Sequence, residues 1–457
     1  MEESDFIQRQ NKLASLMPET AIVISAAKHM TKSHDNEFLF HQNTHLKYLT
    51  GFREPESLLV ITQKNGEGVK SHFFVRPKDD FAEMWNGKRL GIELTKEMFK
   101  FDYVYDITKA WDIIPALLLG HKKVACDWAE QPELTTKLLK IITSLSGARK
   151  KKEHKPTHLL NLSNAIGQLR LIKDSNELQF MRKAAQITNL GHRAAMSVCE
   201  PGKTEADVKS FMEYIFRLNG SEDDAYPSIV AGGKNALILH YVENNALLND
   251  KELILIDAGS QFKGYASDVT RTFPINGKFD PIQKEVYEIV LASQKLAIAL
   301  AKPGSTIPQI HKEVEKVLAR GLLDAGLLTS NKEMSRESLE ELLLEKDAKD
   351  SYALRAYYPH GTSHWLGLDV HDMSPYLDND LNDLELRPGM VITIEPGLYF
   401  NKAHEQIKFK LPLHGIGIRI EDDILITEKG NEILSAAIPK EIMQIEEACK
   451  IDHKDFL

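Results

Sequence analysis

Five residues interrupt segments that are otherwise apolar or glycine-rich: Asp257, Asp268, His364, Glu395 and Glu421. A carboxylate inside a buried segment is costly unless a cation or strong donors compensate it. Four carboxylates crowded together repel one another and do not all stay ionised without cations. Two divalent ions bring about +4 against −4, an order-of-magnitude balance. Oxygen-rich ligation with one imidazole favours Mn²⁺ or a similar ion over a thiolate zinc site. Two such ions ~3.5–4 Å apart lower the pKa of a shared water and clamp a tetrahedral intermediate. These residue types therefore suit two-metal hydrolysis.

The elements that must position them can be read from the surrounding pattern. Residues 253–257, Leu-Ile-Leu-Ile-Asp, form an aliphatic strand that ends in a carboxylate, and two-faced apolar strands are normally buried. Asp268 lies eleven residues further on, across a glycine-containing turn region, which predicts a hairpin aiming both aspartates at one point. Residues 390–395 bring Glu395 to the end of a second apolar strand, before Pro396-Gly397. In a strand over 416–427, period-2 alternation puts Ile418 and Ile420 on one face and Gly417, Arg419 and Glu421 on the other. His364 sits among three histidines in twelve residues, His360 to His371. Each residue has an ordinary alternative: Asp257 as a turn former, His364 as a structural histidine, Arg419–Glu421 as a plain ion pair, Glu421-Asp422-Asp423 as an exposed hairpin end. The conjunction of all five points to chemistry.

The wider chain is an ordinary globular sequence of 457 residues, 42% hydrophobic and 27% charged, so two domains are expected. Alternating strands (21–25, 57–62, 71–75, 122–127) and helices (6–17, 134–145) predict an α/β layer first. Charged residues 147–156, including the basic run Arg149 to Lys152, read as a loop. Helical periodicity covers 159–172 and 174–199, with Asp174 or Ser175 before Glu177 resembling an N-cap, and the domain boundary falls near 169–173. Further helices are expected over 205–218, 281–301 and 307–325, with an exposed amphipathic helix over 335–346. No run approaches the ~20 apolar residues of a membrane span, and the acidic, polar start of the sequence leads us to expect no secretory signal. Cys126, Cys199 and Cys449 fit neither a disulfide framework nor a zinc set, so a cytoplasmic setting is expected. A net charge of −9 argues against a nucleic-acid partner.

The runs LILIDAG, SDVTRTFP, HGTSHWLGLDVHD, TIEPGLY and GIGIRIEDD, in this order, resemble the pita-bread metallopeptidases, most closely the Xaa-Pro aminopeptidase (aminopeptidase P) family. The N-terminal runs QNTHLKYLTGFREPESLLVI and EMWNGKRLG are similar to that family's non-catalytic domain. The resemblance implies an α/β N-terminal domain over 1–170 and an α+β pita-bread (creatinase/methionine aminopeptidase-like) catalytic domain over 171–457. It implies release of the N-terminal residue from peptides with proline second, by a metal-bridging hydroxide attacking the Xaa-Pro carbonyl. Asp257 would bind one metal, Asp268 and Glu421 both, and His364 and Glu395 the second. Glu395 would also handle the nucleophile's proton. His240 and His371 would contact substrate and stabilise the oxyanion. His360, Tyr399 and Arg419 would surround the proline pocket, and Tyr226 would stand on the substrate side.

Two metals, most simply manganese, peptide substrates and a homo-oligomer (dimer or tetramer) follow from the same resemblance, with Asp35 and Trp85 in segments that reach a neighbouring cleft in similar enzymes. Residues 328–358 and 401–413 depart from the family pattern. The nearest alternative is a prolidase, which takes only Xaa-Pro dipeptides. A non-catalytic peptide-binding module is disfavoured because all five ligand positions hold competent residues.

Overall fold

The computed structural model describes residues 3–64, 66–147, 152–330, 334–345, 353–401, 407–409 and 413–457. The chain divides into two compact units, Met1–Arg170 and Leu171–Leu457. The basic run at 149–151 and parts of 328–358 and 401–413 lie outside the described residues.

In the first unit, aliphatic runs that are apolar on both faces form a mixed six-stranded sheet. Its strand order is Tyr103–Asp106, Lys70–Val75, Leu58–Thr62, Thr20–Ser25, Lys123–Cys126, His158–Asn161. The two central strands pair antiparallel with Val23 opposite Val60, and strand Lys123–Cys126 joins parallel. Leu118, Leu138, Val124 and Phe74 lie in the core on one face of the sheet. The expected helix over 159–172 divides in two. His158–Asn161 pairs parallel with Lys123–Cys126, and only Ser163–Leu171 is helical. Sheet pairing outweighs the local periodicity there. Helix Asp80–Asn86 buries none of its residues, and Phe81, Met84 and Trp85 are exposed.

In the second unit, long helices back short antiparallel sheets. Helix Ser175–Val198 starts in a capping box, with Asp174 accepting from the Glu177 amide and the Glu177 carboxylate accepting from the Asp174 amide. Helices Glu205–Leu218, Pro281–Leu300 and Ile307–Asp324 begin with the same device, using Thr204, Asp280 and Thr306. Their apolar stripes cover the sheets through Val286, Val290, Val314 and Leu318, which meet Ile254, Ile256, Ile392, Ile394, Ile418 and Ile424 in one core. Each such side chain contributes roughly 1.5–3 kcal/mol by leaving water. Helix Arg336–Leu344 is amphipathic, but Leu339 and Leu343 are buried, so one face packs rather than lying free.

Two departures from the expected strands matter for the site. Asp257 and Asp268 do stand on the two arms of one hairpin, but within it rather than at its end. Strand Leu253–Asp257 pairs antiparallel with Thr270–Pro274, Asp257 opposite Thr270, and a smaller hairpin (Ser260–Phe262 with Tyr265–Ala266) fills the interval. Lys263 and Gly264 turn it with φ 53° and 88°, positive at both central positions as a tight hairpin requires. Gly259 is required by close approach: a Cβ there would lie 1.6 Å from the Ser267 carbonyl oxygen. The expected strand over 416–427 is likewise two strands. Gly417–Arg419 pairs with Gly397–Tyr399, and Asp422–Thr427 pairs with Val391–Ile394. Between them the Ile420 amide donates to Pro396 O and the Glu421 amide to Thr270 O, so the backbone changes partners where Glu421 stands. No described helix is long and apolar enough to cross a membrane.

Candidate metal centre and active site

The site lies where these short sheets end. Asp257 closes its strand, Asp268 stands two residues before Thr270–Pro274, Glu395 follows Val391–Ile394, and Glu421 occupies the break between two strands. His364 is carried on an irregular segment, so side chains and neighbouring strands hold it. Its amide donates to Thr393 Oγ1 (3.1 Å), and its Nδ1–H donates to Trp365 O (3.0 Å). That bond turns Nε2 toward the carboxylates, 3.3 Å from Asp268 Oδ2 and 3.6 Å from Glu395 Oε1.

Ligand atoms of Asp268, His364 and Glu421 lie within 4.8 Å of one another. Tyr226 joins the remaining aspartate to them: its hydroxyl reaches Asp257 Oδ1 at 2.6 Å and also Asp268 Oδ1. Arg419 donates to Asp257 Oδ2 (2.6 Å), to Tyr399 Oη (2.8 Å) and to Thr270 Oγ1 (3.1 Å). The alternative of a plain Arg419–Glu421 ion pair therefore fails. Glu421 Oε2 instead accepts from Thr270 Oγ1 at 2.7 Å.

Titration follows from this crowding. Burial raises the pKa of Asp257 and, strongly, of Glu421, and the neighbouring Asp268 carboxylate adds to both shifts. Burial lifts Glu395 to about 7 against the pull of His364 and Arg419. His364 rises to about 9, because Asp268 and Glu395 outweigh the burial that opposes its charge. His360 falls to about 3 through burial and the Arg419 charge, so it is neutral. A set of carboxylates that resists full ionisation by itself is what a divalent cation would relieve. The donor set, four carboxylates and a suitably turned imidazole, fits divalent metal ions.

Of the eleven residues named from the sequence, ten line one cleft of about 440 Å³: Tyr226, His240, Asp257, Asp268, His360, His364, His371, Glu395, Arg419 and Glu421. Tyr399 stands in the wall behind it, 3% exposed, with its hydroxyl between Arg419 and His360 Nε2 (2.8 Å). Ile229, Leu239, Val242 and Val370 add apolar lining. Glu421, Asp422 and Asp423 are 2%, 0% and 1% exposed, so the alternative of an exposed hairpin end fails.

Sequence reasoning passed over the residues that hold the ligands. Asp423 accepts from Ser267 Oγ (2.7 Å) and from the Asp268 amide (3.1 Å). Arg271 donates to the Glu421 carbonyl (2.6 Å) and to Asp422 (2.7 Å). The available signals were an arginine inside the run Thr-Arg-Thr-Phe-Pro and two acidic residues, Asp422 and Asp423, opening an apolar one.

The family comparison agrees with this geometry. Residues 179–428 match metallopeptidase family M24, and residues 6–125 match the aminopeptidase P N-terminal domain. The chain belongs to metallopeptidase family M24. It is 38% identical to a Xaa-Pro aminopeptidase of Haemophilus influenzae, with 97% of this chain and 96% of that one covered. It is 36% identical to the Xaa-Pro aminopeptidase of Escherichia coli K12, with 96% of each covered. Among solved structures, an aminopeptidase of Pseudomonas aeruginosa superposes with a TM-score of 0.90 at 34% identity, covering 100% of this chain and 99% of that one. A zinc-substituted aminopeptidase P of E. coli in complex with product gives 0.90 at 35% identity, with 98% of each covered. This M24 chain is thus a hydrolase with an aminopeptidase P N-terminal domain and a pita-bread catalytic fold.

Proposed function

We propose that this M24 enzyme is a manganese-dependent Xaa-Pro aminopeptidase, whose catalytic unit is Leu171–Leu457 and whose Met1–Arg170 unit is non-catalytic. The observation that carries the reading is the convergence of Asp257, Asp268, His364, Glu395 and Glu421 in one cleft, where Asp257, Glu395 and Glu421 resist ionising without a cation. Those five residues would hold two divalent ions, which supply an activated water and polarise the scissile carbonyl.

The remaining steps belong to the chain's own side chains. Glu395 can take the proton of the attacking water and return it to the leaving proline nitrogen. Burial holds the His371 pKa below its ordinary value, which favours its neutral imidazole. His240 and His371 would meet the substrate and donate to the oxyanion.

Proline selection has a chemical basis. The bond before proline is a tertiary amide without an N–H, so the pocket must offer surface rather than an acceptor. His360 suits this. Its Nδ1–H donates to Gly361 O (2.8 Å), and its Nε2 accepts from Tyr399, which in turn accepts from Arg419. All its polar valences are met, which leaves a flat ring face for a pyrrolidine.

The prolidase reading lacks a corresponding feature. A dipeptide would present its terminal carboxylate beside the proline and would call for a cation. Among the described lining residues there is no lysine, and the one arginine, Arg419, already serves Asp257, Tyr399 and Thr270.

A homo-oligomer is part of the proposal, supported by the unburied apolar helix that carries Phe81, Met84 and Trp85, and by exposed Asp35. So is a cytoplasmic setting, supported by three unpaired cysteines. The test is kinetic. Chelated enzyme given back Mn²⁺ should cleave Xaa-Pro-Xaa tripeptides and leave Xaa-Ala-Xaa intact. Cleavage confined to Xaa-Pro dipeptides would replace this reading with prolidase. A single sedimenting monomer would remove the oligomer.

A further inference from the structure

Residues 233–246 cross from strand Ile229–Gly232 toward strand Leu253–Asp257 with no strand pairing of their own, only a short 3-10 turn at Gly233–Leu237. This stretch carries Leu239, His240 and Val242 into the cleft. His240 itself is exposed, and no ladder fixes its backbone. Something else must hold it.

Asn244 ties the stretch to Val230 N (2.7 Å) and Ser228 O (2.8 Å), and one carboxylate gathers the rest. Glu205, at the first turn of helix Glu205–Leu218, is 0% exposed. Its Oε1 accepts from the Gly232 amide (2.7 Å) and from Asn235 Nδ2 (2.9 Å). Its Oε2 accepts from Tyr241 Oη (2.8 Å) and from the Ala246 amide (2.8 Å). The Glu205 amide in turn donates to Ala246 O (2.9 Å). Four donors, all from the stretch that bears His240 or the glycine before it, fill the acceptor sites of one carboxylate. Tyr241, directly after His240, is 5% exposed and keeps its proton, because burial and Glu205 push its pKa up to about 12.

We infer that Glu205 is the positioning residue for His240, setting the imidazole's place at the cleft through Tyr241 and Ala246. The inference rests on the proposed role of His240 at the substrate. Glu205 touches neither substrate nor metal ligand, and its effect is transmitted by backbone and by the Tyr241 hydroxyl. A carboxylate is the required group. A glutamine would turn its NH₂ toward Oε2, where Tyr241 can rotate to accept, and would then face the Ala246 N–H with a second donor.

A double-mutant cycle tests this in full-length, Mn²⁺-loaded enzyme, reading kcat and KM on a Xaa-Pro-Xaa tripeptide. Glu205→Gln should lower kcat/KM roughly 10–100-fold, the scale of a displaced catalytic group. The same change in a His240→Ala background should cost less than about 2-fold, because the group it positions is already gone. Metal content by mass spectrometry should stay that of the parent in both. Tyr241→Phe, which removes one bond of the four, provides a gentler variant and should show the same coupling if Glu205→Gln fails to fold. Equal losses in both backgrounds, or wild-type kinetics for Tyr241→Phe together with Glu205→Gln, would overturn the inference. Wild-type turnover in His240→Ala would overturn it too, and would locate the fault in the role given to His240 rather than in Glu205.

Discussion

Asp422 offers a sharp test of how the catalytic unit supports its site. It lies one residue beyond Glu421 and is fully buried beside the equally buried Arg271. Its Oδ1 accepts from Arg271 (2.7 Å) and Ser435 (2.6 Å), and its Oδ2 from Gln294 (2.7 Å) and Lys440 (2.6 Å). Burial alone would raise its pKa, but Arg271 and Lys440 hold it down to about 2. Against the ordinary 3.8, that is a preference for the charged form of about 2 kcal/mol. Because the folded pKa is depressed, this contribution is complete above about pH 4 and is lost as pH falls toward 2.

Asp422→Asn makes the loss permanent at pH 7. Whichever way the amide turns, one cation meets an N–H, and a buried charge left unpaired costs about 3–5 kcal/mol. The expected range is thus about 2–5 kcal/mol, against a typical total of ~5–15. Hydrogen exchange by mass spectrometry reads this locally. Amides of strand Asp422–Thr427 should exchange roughly 30-fold to several thousand-fold faster, at tenfold per 1.4 kcal/mol. Strand Leu58–Thr62, in the other unit, is the control and should be unchanged. Unaltered protection of 422–427 would refute the reasoning, and so would equal loss in both strands.

Three further outcomes follow from the same geometry. Glu421→Ala should reduce metal from two ions per chain to one or none and abolish turnover, and elemental analysis still showing two would contradict its assignment as a shared ligand. Metal uptake by the chelated protein should weaken as pH falls from 9 to 6, because His364 near 9 and Glu395 near 7 must give up protons to bind. Calorimetric titrations with no pH dependence would count against that. His192, fully buried and donating to Ala258 O (2.9 Å), has its pKa pushed down by burial to about 4. Its stabilising contribution is therefore present above about pH 6.5 and is lost as pH falls toward 4, by at most ~3 kcal/mol. His192→Gln should flatten that acid limb, and an unchanged urea midpoint profile between pH 7 and 4 would refute it.

The contrast between Glu421 and its neighbours explains what the sequence could and could not show. Glu421 stood out because a carboxylate among isoleucines demands compensation, and the argument needs only composition and alternation. The helices beginning at Thr204, Asp280 and Thr306 were legible for a similar reason: their caps and stripes are local. The strand break at Ile420–Glu421 was not legible. It exists because two backbone amides find partners at Pro396 and Thr270, far away in the chain. The hairpin expected between Asp257 and Asp268 does form, and both aspartates meet Tyr226, but its register, with Thr270 opposite Asp257, was not legible.

Local pattern also misread residues 158–161, where a parallel partner at Lys123–Cys126 overrides helical spacing. Asp422, Asp423 and Glu205 were all visible as acidic residues, and each has an exposed reading that is normally right. What separates them is the donors they meet: Arg271 and Lys440 for Asp422, Ser267 and the Asp268 amide for Asp423, and the 232–246 stretch for Glu205. A ligand must disturb its own segment and so betrays itself. A residue that positions a ligand can sit where its own segment tolerates it, and only the folded chain shows which distant group it holds.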